Sequence, residues 1–175
     1  LFISPAQGFF VKYDNTKTSN IFTFNEAMQS HYNSTNTSLK GVTRPAINLT
    51  ITNGASIKDT DIYYIEQTTT GFDNGYDSTL FDNGGTDFGV FTHLVEDSVG
   101  NDFAIQSLPN NNYENMVVPV GINALSSSEI VISVTAVNFP SEINIYLEDK
   151  KNNSFTLLDD ISSYTTTLSN NLNGI

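Results

Sequence analysis

The feature that most constrains how this chain folds is a succession of short segments in which apolar and polar residues alternate, separated by turns rich in Asn, Asp, Gly and Pro. A period of two sends successive side chains to opposite faces of a β-strand, and β-branched and aromatic residues favour that structure. In the clearest segment, EIVISVTAV, Ile130, Ile132 and Val134 share one face. The pattern predicts strands at 8–13, 20–25, 46–52, 61–67, 89–95, 102–108, 129–137, 143–149, 154–159 and 164–169.

The order of these segments predicts an all-β fold. Parallel strands need crossover connections of a dozen or more residues, which are usually helical, and the one helical candidate, residues 24–32, is short. We therefore expect an antiparallel β-sandwich of two packed sheets with jelly-roll or Greek-key connections. The alternation predicts that these residues face the core: Phe9, Ile47, Leu49, Ile105, Ile132, Val134, Ile145 and Leu147.

Length and composition predict a single domain. The 175 residues suffice for one core, and 38% of them are hydrophobic, with 12 Phe and 8 Tyr to supply apolar area. A soft boundary near 110–116 separates an aromatic, acidic first part from a second part rich in hairpins. We expect residues 1–175 to form one β-sandwich module of a longer protein.

The charge of the chain argues against two classes of partner. Seven basic residues against nineteen acidic ones give a formal net charge of −12, which repels phosphate backbones and anionic lipid headgroups. No apolar run in the sequence approaches the ~20 residues that span a bilayer. We therefore expect no nucleic-acid partner and no membrane insertion. An acidic surface of this kind suits an extracellular protein that recruits cations.

One acidic stretch, GFDNGYDSTLFDNGGTDFG at 71–89, is the main candidate site. Short carboxylates on a loop bent by glycines supply the hard oxygen ligands that Ca²⁺ prefers. Asp73 and Asp77 are the first candidate ligands, and Asp82 and Asp87 are the secondary ones. The alternative is that Asp73 and Asp77 accept backbone N–H bonds in Asx turns. The sequence leaves both readings open, and nothing in it requires a cofactor.

The sequence offers no catalytic motif. It has no cysteine, so a thiolate nucleophile, a zinc–thiolate site and a disulfide are excluded. It also lacks a G-x-S-x-G motif, and His31 and His93 are its only histidines. Two carboxylates could serve glycoside hydrolysis, but only their separation in space would show it. We expect a protein that is not an enzyme, with a fragment of a glycan-active hydrolase as the remaining catalytic hypothesis.

Aromatic residues beside Asn and Asp suggest a second candidate site, because aromatic rings can stack on sugars while polar groups bond the hydroxyls. Tyr64, Tyr76 and Tyr113 are the candidate ligand-binding residues. Tyr63 and Tyr64 are adjacent in a predicted strand, so they face opposite sides and at most one of them belongs to the core. Most such tyrosines in a sandwich pack against neighbouring side chains of the sheet and do not bind ligands.

Several segments together resemble a known family. The segments ISPAQGFFVKY, FTFNEAMQSHY, TGFDNGYDSTLF, FAIQSLP, VPVGINA and INIYLEDKKNNSFTLLDD occur in the order typical of a region near the C-termini of large proteins from bacteria with type IX secretion. The resemblance covers almost the whole chain. It implies a non-catalytic β-sandwich at the cell surface or outside the cell, whose partners are the other domains of its precursor and the type IX secretion machinery.

The resemblance has two further implications. The stretch that usually precedes QGFFV and the closing strand that follows the final NG are absent, which implies a sandwich incomplete at both ends. Bacteria with this family attach O-glycans at Asp-Ser or Asp-Thr followed by a small or apolar residue, and DST (77–79) and DSV (97–99) are similar, with Ser78 and Ser98 as acceptors.

Together these observations predict a spacer or adhesion module of a larger exported protein. The alternative is a carbohydrate-binding module stabilised by calcium, with glycans as partners.

Overall fold

The computed structural model describes residues 44–81, 87–97, 101–112 and 115–174, together with residues 16, 21, 23–25 and 27. The chain divides into two units, Leu1–Val42 and Thr43–Ile175. Every strand described below belongs to the second unit. Phe9, the segment 8–13 and most of the helical candidate 24–32 lie outside the described residues.

The described residues form eleven strands. They are β1 (Ala46–Thr52), β2 (Ile57–Ile65), β3 (Ser78–Thr79), β4 (Gly89–Thr92), β5 (Phe103–Pro109), β6 (Val120–Ala124), β7 (Glu129–Val137), β8 (Ile145–Asp149), β9 (Ser154–Leu158), β10 (Tyr164–Thr167) and β11 (Leu172–Gly174). The predicted strands at 46–52 and 129–137 are confirmed in full. Strands β3, β6 and β11 were not predicted, and the described positions of 20–25 are irregular.

Turn chemistry explains where β1 ends and β2 begins. The side-chain Oδ1 of Asn53 accepts hydrogen bonds from the backbone N–H groups of Ala55 and Ser56, at 3.0 and 2.8 Å. Gly54 has φ +82°, a left-handed conformation that glycine adopts without steric cost. The Asn-Gly pair therefore reverses the chain and fixes the register in which Thr52 faces Ile57.

Nine strands form one sheet in the order β10-β7-β1-β2-β5-β4-β6-β11, with β3 also paired to β5. Strands β8 and β9 form a separate two-stranded sheet. The all-β, sandwich-like fold is confirmed, with one correction to the pairing. Strands β2 and β5 pair in parallel, while the other strand pairs are antiparallel.

The core lies on the inner face of this curled sheet. Strand β1 turns Ile47, Leu49 and Ile51 inward, and residues of β4 and β6 join the same buried cluster although β2 and β5 separate them from β1. The predicted core residues Ile47, Leu49, Ile132 and Val134 are buried, and Ile145 and Leu147 are half-buried against the cluster. Burial of branched side chains is the main favourable term in the stability of such a fold.

Strand β5 corrects the prediction for Ile105. Leu108 belongs to the inner cluster, and because side chains alternate along a strand, Ile105 lies on the opposite face, where it is only half-buried. Phe103 and Ser107, which share that opposite face, are nonetheless buried. Both faces of β5 are thus covered, so alternation alone could not show which one meets the main core.

The opposite face of β4 and β6 shows a close contact between an aromatic ring and a glycine. Phe91 on β4 lies directly across from Gly121 on β6. A Cβ atom built on Gly121 would lie only 2.2 Å from the Phe91 ring, so the ring occupies the space where a side chain would project. The buried ring compensates for the glycine, which alone would weaken a strand.

Candidate functional site

The loop between β2 and β3 carries the first half of the acidic stretch, and a tight turn at Asp73 shapes it. The backbone C=O of Asp73 accepts hydrogen bonds from the N–H groups of Tyr76 and Asp77, both at 3.0 Å. Gly75 inside this turn has φ +89°, a conformation that strongly favours a residue without a Cβ atom. The turn brings the side chain of Asp77 back toward Asp73.

Both aspartate side chains in this turn accept bonds from backbone N–H groups. Asp77 Oδ1 accepts the N–H of Ser107 at 2.6 Å, and Asp77 Oδ2 accepts the N–H of Asp73 at 2.7 Å. Asp73 Oδ2 in turn accepts the N–H of Thr69 at 2.6 Å and the Thr69 hydroxyl at 3.1 Å. Hydrogen bonds to an ionised carboxylate are stronger than those between neutral groups, so these contacts hold the loop in one conformation.

The bond to Ser107 attaches the loop to the sheet. Strand β3 pairs with β5 only as far as Ile105, and Ser107 lies two residues further along β5. The Asp77 carboxylate therefore takes the place of a strand partner for the N–H of Ser107, and the hydroxyl of Ser107 donates to the C=O of Tyr76 at 3.0 Å. We refer to this arrangement of Asp73, Asp77 and Ser107 as the loop clasp. It satisfies a buried backbone N–H that would otherwise lack an acceptor.

Burial raises the pKa of the Asp77 carboxyl above its ordinary value, because partial removal from water disfavours the charged form. The N–H bonds from Asp73 and Ser107 act in the opposite direction, and the neighbouring Asp73 charge adds to the rise. A carboxyl held this way has a structural explanation for its altered pKa.

The calcium prediction depends on four residues, of which the structure describes three. Asp73 and Asp77 lie together in the loop clasp, Asp87 is exposed in a bend before β4, and Asp82 lies outside the described residues. Within the described ranges, no three Asp, Glu or His side chains converge in a way that could hold a metal ion. Ca²⁺ needs six to eight oxygen ligands, so a site here would require atoms beyond the clasp. Calcium binding stays a prediction.

A second polar cluster joins β4 to β5. His93 Nε2 and Asp102 Oδ1 are 2.8 Å apart, and the imidazole stacks on Phe91 with ring centroids 5.5 Å apart. The backbone C=O of His93 accepts the side-chain N–H of Gln106 at 3.0 Å. His93 lies two residues after Phe91, so the two side chains share one face, as the stacking shows. The contacts tie the end of one strand to the start of the next.

The predicted ligand-binding tyrosines do not form one surface. Tyr64 is only 5% exposed and meets the ring of Phe139 edge-on at 5.1 Å, which makes it a core residue and corrects its assignment to a ligand-binding face. Tyr64 faces the core because Ile62, two residues earlier in β2, faces it too, and side chains two positions apart in a strand share one face. Tyr76 is 47% exposed in the loop, and Tyr113 lies outside the described residues.

Of the two candidate acceptors of O-glycans, the structure describes only Ser78. Ser78 is exposed in β3, next to the loop clasp, while Ser98 lies outside the described residues. Exposure makes Ser78 accessible, and its modification stays a prediction.

The sequence analysis missed an exposed apolar face on the β8–β9 hairpin. In this pair Tyr146 lies opposite Leu157 and Glu148 lies opposite Phe155. All four side chains point outward, with 57% of Tyr146, 68% of Phe155 and 41% of Leu157 exposed. We call these four residues the hairpin platform. The alternation in both strands was visible in the sequence, but which face the core covers was not.

The other face of the hairpin fastens it to the main fold. Ile145, Leu147 and Leu158 pack on the core cluster. Asp149, at the end of β8, accepts a hydrogen bond from the hydroxyl of Tyr164 on β10. That bond, followed by one from the N–H of Asn152, lowers the pKa of the Asp149 carboxyl. The platform is thus presented by an anchored hairpin.

Residues 1–173 match the family described as a domain of unknown function, DUF8693. The chain belongs to this family. No curated protein and no solved structure matches the chain significantly. No helix in the described part is long and apolar enough to cross a membrane.

Proposed function

We propose that this chain is a non-catalytic, extracellular β-sandwich module that acts as a spacer and adhesion domain of a larger cell-surface protein exported by the type IX secretion system. The order of the sequence segments that resemble that family supports the route of export. The hydrogen bonds that the Asp73 and Asp77 carboxylates accept from backbone N–H groups support the absence of catalysis.

The observation that carries the proposal is the loop clasp. A carboxylate that serves as a nucleophile or a general base needs an oxygen that can reach the substrate. In the clasp, both oxygens of Asp77 and one oxygen of Asp73 each accept a hydrogen bond from a backbone N–H group. These three bonds hold the loop. These carboxylates therefore have a structural role.

The absence of catalysis is tested by a search for turnover. The chain is incubated with neutral and acidic polysaccharides and with a protein substrate, and release of reducing ends or new amino groups is followed against a buffer blank. We expect no release above the blank. Release that Asp73→Asn or Asp77→Asn abolishes, in protein that remains folded, would refute the non-catalytic reading.

The location is tested separately in a bacterium that carries the gene. Antibody against the chain should label intact cells or the culture medium, and a strain that lacks the type IX machinery should retain the antigen inside the cell. Equal surface labelling in both strains would refute the export route and leave the non-catalytic reading intact.

A carbohydrate-binding module is the second candidate function. The hairpin platform favours it, because two exposed aromatic side chains on one strand pair suit the apolar faces of sugar rings. In that case adhesion and glycan binding describe the same activity.

A further inference from the structure

The hairpin platform holds three exposed apolar side chains, more than any other strand pair in the described structure. Directly opposite residues on neighbouring strands lie about 4.5–5.5 Å apart at Cβ and diagonal ones about 7–8 Å apart. Tyr146 and Phe155 are diagonal neighbours, with Leu157 and Glu148 completing the four positions. Two rings, one aliphatic side chain and one carboxylate thus occupy a single outward surface.

We propose that the hairpin platform is a binding site for a neutral glycan. This inference rests on the proposed function, because it names the ligand and the site through which the module adheres. Sugar rings carry apolar C–H faces that pack on aromatic side chains, and their hydroxyl groups donate hydrogen bonds to acceptors. Tyr146 and Phe155 supply the rings, and the Glu148 carboxylate supplies the acceptor.

The area of the platform favours a small ligand over a second copy of the chain. A fully buried aromatic side chain covers about 150–250 Å², so the exposed parts of Tyr146, Phe155 and Leu157 amount to roughly 300–400 Å². A stable interface between proteins buries about 800 Å² on each partner. The platform therefore falls short of a dimer interface, but it matches a few sugar rings.

The net charge of the chain favours a neutral ligand over an anionic one. A net charge of −12 repels acidic polysaccharides, anionic lipids and nucleic acids, and it also opposes the approach of a second copy. The carboxylate of Glu148 within the platform adds to this repulsion for an anionic ligand. A neutral glycan meets no such penalty and gains the stacking contacts.

The test is the mobility of the full chain in native gels that contain a soluble polysaccharide. Mannan, xylan and mixed-linkage β-glucan are the neutral probes, and alginate is the acidic probe. We expect at least one neutral polysaccharide to retard the chain, while alginate does not. The double variant Tyr146→Ala/Phe155→Ala should bind that polysaccharide roughly 10- to 100-fold more weakly, the loss expected for two stacking contacts.

Two further variants separate stacking at the platform from other effects. Phe72→Ala removes an aromatic ring that is exposed in the acidic stretch, and it should leave the retardation unchanged. Glu148→Gln keeps the shape of the platform and should weaken binding less than the double variant. The thermal midpoint of each variant is compared with that of the parent, and the single variants Tyr146→Ala and Phe155→Ala are used should the double variant fail to fold.

Several results would overturn this inference. No retardation by any neutral polysaccharide would reject the ligand class, and equal retardation of parent and double variant would reject the site. Retardation by alginate alone would reject the charge argument, and self-association abolished by the double variant would show that a second copy is the partner. The proposed function is tested by turnover and export, so it stands or falls independently of these results.

Discussion

The loop clasp makes a quantitative prediction about Asp77. In Asp77→Ala the N–H of Ser107, a residue that is only 1% exposed, loses its acceptor and has little access to water. A buried donor left without a partner costs about 1–3 kcal/mol, and the lost bond from Asp73 N–H adds to this. We expect the free energy of unfolding to fall by roughly 2–4 kcal/mol.

The assay is urea denaturation followed by far-ultraviolet circular dichroism, since the chain has no tryptophan. Asp87→Ala is the matched control, because it removes an exposed carboxylate of the same acidic stretch and should change stability by less than about 0.5 kcal/mol. Equal stability of the two variants would refute the role assigned to Asp77.

The same carboxyl gives a pH dependence of known sign. Burial raises the pKa of Asp77 in the folded protein above its value of 3.8 in the unfolded chain. The folded state therefore binds a proton more tightly, and the resulting stability is present below pH 3.8 and lost as pH rises through the folded pKa. Asp77→Asn cannot ionise at this position. Relative to this variant, the parent should lose stability as pH rises from below 3.8 through the folded pKa of Asp77. A difference between the two that is constant with pH would contradict the raised pKa.

Three other predictions use the same denaturation assay or thermal melts. Gly121→Ala should cost about 1–3 kcal/mol because its Cβ would lie 2.2 Å from the Phe91 ring, and a neutral effect would show that the ring moves freely aside. Ile132→Ala, which empties a buried site on β7, should cost about 2–5 kcal/mol, whereas a cost below 1 kcal/mol would place Ile132 outside the tightly packed core. Adding Ca²⁺ to chelator-treated protein tests the calcium prediction: a site in the acidic stretch would raise the thermal midpoint of the parent but not that of Asp73→Asn/Asp77→Asn, and an unchanged midpoint in the parent would refute it.

The fold was predictable where local pattern and burial agree. Strand β1 alternates strictly, and β7 keeps Ile130, Ile132 and Val134 on its one buried face, so the bounds of both strands and these core residues followed from the sequence. Strand β6, with the sequence VGINA, contains a glycine and an asparagine that disfavour strands. It forms because it pairs with β4, whose Phe91 covers Gly121, and no local pattern contains that information.

The candidate site was predictable only in part. The sequence showed that Asp73 and Asp77 suit either an ion or N–H groups, and the structure shows the N–H partners. Ser107 could not have been named, because it lies 30 residues from Asp77 along the chain. Tyr64 could have been assigned to the core, because it lies two positions after Ile62 in the same strand and therefore shares its face. The parallel pairing of β2 with β5 follows from long-range packing, which alternation does not encode.

Amide hydrogen exchange at Ser107 tests most directly whether the acidic stretch is a structural clasp, the claim on which the non-catalytic reading depends. The N–H of Ser107 should exchange slowly in the parent, because it is buried and bonded to Asp77, and at least about tenfold faster in Asp77→Ala. The N–H of Ala55, which bonds Asn53 in a distant exposed turn, should exchange at the same rate in both proteins. A Ser107 amide that exchanges as fast in the parent as in Asp77→Ala would contradict the account.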